Sequence, residues 1–430
     1  WKPIAVGAFF LATRQYVRRS ILGLWPRRAA LILALFFGSI TVLYGKVTVL
    51  GDLFPGFLSW GYTFGLLAVA AVVGAIVAYD RARSQDRIPW SPAALGALAS
   101  LLHPWHGELL ILVVLGGELV MWRGRSVTRR HLGLIAVTVA GTAAPLVYYV
   151  ILGRLDLSWQ LARDASKHAF PLVPILIYLA PLILPAALAY RGRSRSFLAA
   201  ATRCWPLAAL VLYALSATAL SATPLHAFQG ITVPLAVLAV QGLMRIGFGR
   251  LPHPRLVGAM VIAVATVPGT IWQLNTARQL AAPARNNANF LTADEGRALD
   301  YLARAPEPGG VLTRSYLGAA VPEKTGRRTL VGDCLWSEPG CLQRSSAAQS
   351  LFDGSLGRGA AVTLVRQSGA RFVLSDCQTT ADLGRTLRRL IVSVHHFGCA
   401  SVYELDAPAA PQGALADLPA HAAVRAPRRQ

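Results

Sequence analysis

The chain has 430 residues, 54% of them hydrophobic and 14% charged, with a mean hydropathy of +0.47. Soluble globular proteins are about a quarter charged, so this balance excludes an ordinary cytosolic enzyme, and the apolar content excludes a disordered chain. The net charge of +22 comes from 38 Arg and four Lys, and their placement decides what it means.

The chain opens at Trp1 with no visible signal peptide and reads as a fragment lacking its N-terminal part. Residues 4–13 read as the end of a membrane span. Seven full candidates follow at 29–50, 58–79, 132–153, 171–190, 204–221, 227–244 and 256–273. Of these only 29–50 contains a charged residue, Lys46. Each approaches the ~20 apolar residues that a helix needs to cross a bilayer. The linkers at 14–28, 80–91, 122–131, 191–203 and 245–255 hold 19 Arg, whereas those at 51–57, 154–170 and 222–230 hold three basic residues. The positive-inside rule places the Arg-rich set in the cytoplasm, so the basic charge is a topology signal and nucleic acid is not needed to explain it.

The segment 88–122 lies between two Arg-rich linkers and must therefore enter and leave on one side. Its halves, 88–102 and 108–122, have 15 residues each, roughly 22 Å of helix against a bilayer of about 30 Å. This predicts a re-entrant or short-helix hairpin with its tip at His103-Pro104-Trp105-His106-Gly107-Glu108. The expected organisation is a transmembrane core over 1–273, an extracytoplasmic α/β domain over 274–406 and a disordered tail over 407–430. In the second domain Thr292-Ala-Asp-Glu295 is a capping box opening a helix to about Ala305. Short β-like runs occur at 310–313, 328–331, 371–375 and 400–405, with helices expected at 343–352, 358–368 and 381–390. No internal repeat is visible.

Polar residues in this apolar frame are the candidate sites. Ionisable groups at membrane depth are rare and often functional, which singles out Glu108 with the cavity-facing candidates His103, His106 and His226. His103, His106 and Glu108 offer donors for a divalent metal. Pro104 and Gly107 interrupt the helical spacing that metal motifs use, so the polar residues equally serve the turn itself. Asp52 stands in a short outer loop as a second carboxylate. In the outer loop 154–170, Arg163, Lys167 and His168 project opposite Leu157 and Leu161, near an interfacial Trp159. The two readings there are a lipid-phosphate clamp and a solvated interfacial helix. Glu118 is placed to pair with Arg123 or Arg125. Cys334, Cys341, Cys377 and Cys399 all fall in the outer domain, where an even count points to two disulfides. Three pairings are possible; Cys334–Cys341 within one loop and Cys377–Cys399 joining the ends of two neighbouring strands are favoured, and neither pair has the spacing of a zinc site. No Walker sequence, dinucleotide fingerprint, nucleophile elbow or His-Glu-x-x-His occurs, which excludes an ATP-driven pump in this chain alone.

Three places carry a family resemblance: the His103-Pro104 break, Pro234 after the His226-Ala-Phe-Gln-Gly230 loop, and 321–332 with Trp336, Leu351-Phe-Asp-Gly354 and the 369–374 strand. In these the chain resembles the bacterial C-fold (GT-C) glycosyltransferases and their multi-span relatives. The resemblance implies sugar transfer from a polyprenyl-phosphate donor on the outer face of the bacterial plasma membrane, in cell-envelope glycan assembly. Its acidic motif belongs to a first outer loop that precedes this sequence, so Asp52 and Glu108 are substitutes only. The competing classes are a transporter or lipid flippase gated by the hairpin, and an assembly scaffold.

Overall fold

In the computed structural model the described residues are 1–38, 51–122, 128–156, 159–160, 171–192, 194, 196–216, 224–284, 287, 289–332 and 340–406. Arg163, Lys167, His168, Cys334, Trp336 and the 407–430 tail lie outside them, and so do the expectations placed on those residues. The chain divides into two compact units between Gln279 and Leu280.

The first unit is helical: α1 (Lys2–Ser20), α2 (Leu24–Phe36), α3 (Pro55–Gly61), α4 (Thr63–Ser84), α5 (Ser91–Leu102), α6 (Pro104–Trp122), α7 (Arg129–Leu155), α8 (Leu172–Ala189), α9 (Phe197–Leu215), α10 (Thr232–Arg245) and α11 (Pro254–Ala281). Among the described residues, α4, α6, α7, α8, α9 and α11 are long and apolar enough to cross a membrane. The chain is a multi-pass membrane protein, the class expected from composition.

Several expected boundaries move. The 14–28 linker is partly helix, because α1 runs on through Arg14, Arg18 and Arg19 to Ser20. Within the 29–50 window the described helix ends at Phe36, and 39–50 fall outside the described residues. The 204–221 span starts seven residues earlier, at Phe197, where Ser196 caps the N–H of Ala199. Arg203 is accommodated inside that helix by donating to the Gly192 carbonyl and the Ser194 hydroxyl. The 227–244 span shortens to α10, because Pro224–Phe228 forms a 3-10 turn and Gly230 takes a left-handed φ of 76°. Fourteen residues reach only about 21 Å. α10 is instead a core helix, buried from Thr232 to Val240 and packed on α2 and α8.

Charged residues tie the Arg-rich ends of the helices together. Arg19 donates to Asp80 Oδ2 (2.7 Å) and the Leu198 N–H donates to Asp80 Oδ1 (3.1 Å), joining α1, α4 and α9. Glu118 accepts from Arg83 Nε (2.7 Å) and Tyr79 Oη (2.9 Å), joining α6 to α4. Its described partner is Arg83, where the helix ends of α4 and α6 face one another; the expected partners Arg123 and Arg125 lie outside the described residues. Arg130 meets Asp86 at 2.9 Å, and Arg245 donates to the Ala189 carbonyl.

The hairpin is less symmetric than expected. α5 has 12 residues but α6 has 19, enough to cross. Pro104 does not interrupt a helix; it opens one, at the position where its missing N–H has no role. Gly107 does not break α6 either. A methyl group there would meet Ser100 Oγ at 2.0 Å, so glycine lets α5 and α6 close up. α5 packs equally tightly on α7, with Ser100 Oγ donating to the Thr142 carbonyl at 2.7 Å.

The second unit is α/β. It contains α12 (Ala293–Arg304), β1 (Gly310–Leu312), α13 (Ser315–Thr325), α14 (Cys341–Phe352), α15 (Arg358–Gln367), β2 (Ala370–Ser375), the single turn α16 (Leu383–Thr386), β3 (Ile391–Phe397) and β4 (Ala400–Leu405). The sheet order is β1-β2-β4-β3; β1 and β2 are parallel and the other pairs antiparallel. Alternation along the strands divides the core. Val311, Phe372 and Leu374 pack with α12 and α13, whereas Leu312 and Val373 pack with α14 and α15. The capping box forms as expected: Thr292 accepts from the Glu295 N–H, and Glu295 accepts from the Thr292 N–H. The expected strand 328–331 reduces to one bridge, Thr329 to Val311. The 381–390 helix reduces to α16.

Candidate functional site

The polar residues of the hairpin tip collect at the end of the helical unit opposite the Arg-rich one. His103 terminates α5 in extended geometry (φ −160°, ψ 104°) and immediately precedes α6. His106 falls in the first turn of α6, so its N–H reaches the His103 carbonyl at 3.0 Å. The two Nδ1 atoms are 2.9 Å apart, which requires one ring to donate and the other to accept. The turn Pro224–Phe228 brings His226 to a ring distance of 4.7 Å from His103. Tyr62, between α3 and α4, stacks on His226 at 5.9 Å and meets His103 edge-on at 5.6 Å. His103 and His106 are 4% and 1% exposed, and among the described residues His106 Nε2 has no hydrogen-bond partner.

Asp52 joins this group through its backbone, because the turn Gly51–Leu53 packs against Pro224–Phe228. Glu108 does not. It follows His106 by two residues, about 200° round the helix, and is half-buried on the more open face of α6. It makes no hydrogen bond or ion pair with a described residue, and it does not meet His103 and His106 as a metal-binding set. A contact of 2.9 Å between Nδ1 atoms is itself a direct hydrogen bond. Sequence spacing thus brought His103, His106 and His226 to notice but missed Tyr62, whose position depends on the kink between α3 and α4 at ψ 67°. In the outer loop, the Trp159 N–H donates to Asp156 Oδ1 at 3.3 Å and its ring lies 5.5 Å from Tyr149.

In the second unit Cys377 and Cys399 form a disulfide with Cα atoms 4.8 Å apart, joining the end of β2 to the start of β4. Cys341 is also disulfide-bonded, while Cys334 lies outside the described residues. Asp294 lies beside Cys377 and Cys399, but those sulfurs are spent on each other and cannot act as thiolate ligands. Sequence reasoning missed an ion network past the carboxyl ends of β1 and β2. Buried Arg314 lies 2.6 Å from Asp353 and 3.0 Å from Asp376. Nearby, Tyr316 donates to Glu295 at 2.7 Å; burial first, and then that donation, pushes the Tyr316 phenol well above its usual range. The available signal was position, since residues just past parallel strands gather at one edge.

No protein-family model matches the sequence, and no curated protein does. Among solved structures, three of the Archaeoglobus fulgidus oligosaccharyltransferase are similar. The form tethered by a disulfide to an acceptor peptide containing the NVT sequon gives a TM-score of 0.43 at 12% identity, over 95% of this chain and 63% of that one. The apo form gives 0.39 at 12%, over 89% and 58%. The complex with Zn and sulfate gives 0.37 at 15%, over 94% and 60%. The chain thus spans about 58 to 63% of the length of the structures it matches.

Proposed function

We propose that the chain is a membrane glycosyltransferase of the C-fold class, taking a sugar from a polyprenyl-phosphate donor at the Arg-poor, extracytoplasmic face of a bacterial plasma membrane. The observation that carries this reading is the convergence of His103, His106, His226, Tyr62 and the Asp52 turn at that end of the helices. Imidazole nitrogens and a phenol can orient hydroxyl groups by hydrogen bonding. Asp52 takes the proton from the acceptor as it attacks the anomeric carbon. The bond from that carbon to the phosphate oxygen then breaks, with its electron pair leaving on the phosphate. Arg163, Lys167 and His168 are assigned to the departing phosphate, where cationic charge stabilises the transition state.

The test is a transfer assay with the full protein in liposomes containing a polyprenyl-phosphate hexose, reading release of polyprenyl phosphate. Losing a general base lowers turnover by roughly 10²- to 10⁴-fold, so Asp52→Asn is expected in that range. Glu108→Gln, off the cluster, is expected to change turnover by less than about threefold, under 1 kcal/mol. Full activity in Asp52→Asn removes the assigned base. Absence of release by folded wild-type protein removes the function.

A further inference from the structure

Two guanidiniums meet at the Arg-rich end of α8, α9 and α10. Arg203, in the second turn of α9, donates through Nη1 to the Gly192 carbonyl at 2.6 Å and to the Ser194 hydroxyl at 2.7 Å. Arg245, at the end of α10, donates to the Ala189 carbonyl at 2.7 Å and so caps the C-terminus of α8. Its guanidinium rests against Gly192, where a methyl group would meet Nη2 at 2.1 Å and Cζ at 2.7 Å. One glycine thus touches both cations. Donor capacity is left over. Arg203 Nε is buried without a hydrogen-bond partner among the described residues. Arg203 Nη2 and Arg245 Nη2 make no hydrogen bond or ion pair with a described residue, and Ser194 keeps its own proton to donate.

Two like charges held together call for a counter-charge. No acidic residue occurs between Asp164 and Asp294, so no segment from α8 to α11 can supply a carboxylate. Three acids of the membrane unit lie at this end and each is taken: Asp80 by Arg19 and the Leu198 N–H, Asp86 by Arg130, and Glu118 by Arg83. The other four, Asp52, Glu108, Asp156 and Asp164, fall in segments of the Arg-poor end. The anion therefore comes from outside the chain. Guanidinium forks match the oxygens of a phosphate group, and basic sites between helix ends meet phosphates at headgroup level. Tyr190 marks that level: it is 39% exposed, and its hydroxyl donates to the Arg203 carbonyl at 2.8 Å.

We propose that Arg203 and Arg245 bind one phosphate group between their guanidiniums, with the Ser194 hydroxyl as a third donor. The phosphate is that of an anionic lipid headgroup or a free phosphate ion, and the site is separate from the histidine cluster at the other end of the helices. The inference does not depend on the glycosyltransferase reading.

The test uses the full protein in phosphatidylcholine nanodiscs doped with phosphatidate or with diacylglycerol, which keeps the tails and lacks the phosphate. Native mass spectrometry counts the lipid retained, and equilibrium dialysis with labelled inorganic phosphate measures the free ion. Arg245→Gln is expected to weaken phosphate-dependent binding about 10- to 100-fold, the range for a lost charge-assisted hydrogen bond. Gly192→Val pushes the Arg245 guanidinium aside without changing net charge, and is expected to weaken it about fivefold or more; it serves alone if Arg245→Gln fails to fold. Arg129→Gln removes the same charge from α7, which packs on α5 and α6, and is expected to change binding less than about twofold because exposed charges on separate helix ends are screened. Phosphatidate preferred over diacylglycerol, and lost in the two site variants, assigns a lipid headgroup. Labelled phosphate bound by wild type and lost in those variants, with no lipid preference, assigns the free ion. Neither preference nor phosphate binding in wild type overturns the proposal. So does a loss in Arg129→Gln equal to that in Arg245→Gln, or unchanged binding in both site variants.

Discussion

At the scale of single residues, a few buried charges do most of the fixing. Glu118 is 1% exposed and Arg83 is its guanidinium partner. Removing one member of such a pair strands the other, at about 3–5 kcal/mol. Glu118→Gln is therefore expected to lower the unfolding temperature of the purified protein, with Arg83→Met/Glu118→Leu recovering much of the loss. In the second unit, the hydrogen bond from Ser393 and then the contact with Arg371 hold the Glu404 carboxyl below its ordinary 4.5. A lowered folded value stabilises the fold above pH 4.5 and loses that contribution as pH falls further. Wild type is thus expected to exceed Glu404→Gln in stability at pH 7, with the gap closing below about pH 4.5 in parallel hydrogen-exchange series. A constant gap down to pH 3 would show that the carboxylate charge plays no part. Residues of this kind were only half legible in the sequence. His103 and His106 were visible as ionisable groups in an apolar run, whereas the pairing of Glu118 depended on which helix ends met.

At the scale of elements, hydropathy located spans well but misjudged their ends. Apolar periodicity does not register a Ser cap such as Ser196, which started α9 seven residues early. Nor does it separate a core helix from a crossing one, so α10 read as a span. β3 was missed because its alternating positions carry Ser393, His395 and Phe397 rather than an apolar row. α13 was missed because Pro322 sits within it. Gly107 offers a direct check on the hairpin. Gly107→Val places two methyl groups into Ser100 and is expected to cost about 1–3 kcal/mol. Thermal unfolding in detergent measures this; Ser100→Gly in the same chain is expected to restore part of the stability.

At the scale of the whole molecule, the Arg asymmetry assigns a direction to the helices. The ends joined by Arg19–Asp80, Arg83–Glu118 and Arg130–Asp86 are the ones that rule assigns to the cytoplasm. α5 and α6 turn at His103, so the alternation of later helices is preserved and α11 ends at Ala281 on the Arg-poor side. Alkaline phosphatase fused after Gln430 is therefore expected to be active, and a fluorescent protein at the same place dark. The reverse pattern would invert the topology and remove the outer-face chemistry. The separation into a membrane unit and an α/β unit was readable from charge, since 13 of the 20 acidic residues follow the last apolar run.

The shortness of α5 also constrains how the protein is made. Its 12 residues, about 18 Å of helix, are too few to enter lipid on their own account. It is held by α4, by α6 and, through the Ser100–Thr142 contact, by α7. Of these, α6 and α7 are synthesised later, so the ribosome must extend the chain some 40 residues beyond Ser100 before the Ser100–Thr142 contact can form. So short a helix is expected to settle in the bilayer only together with its neighbours α4, α6 and α7, as a group rather than segment by segment.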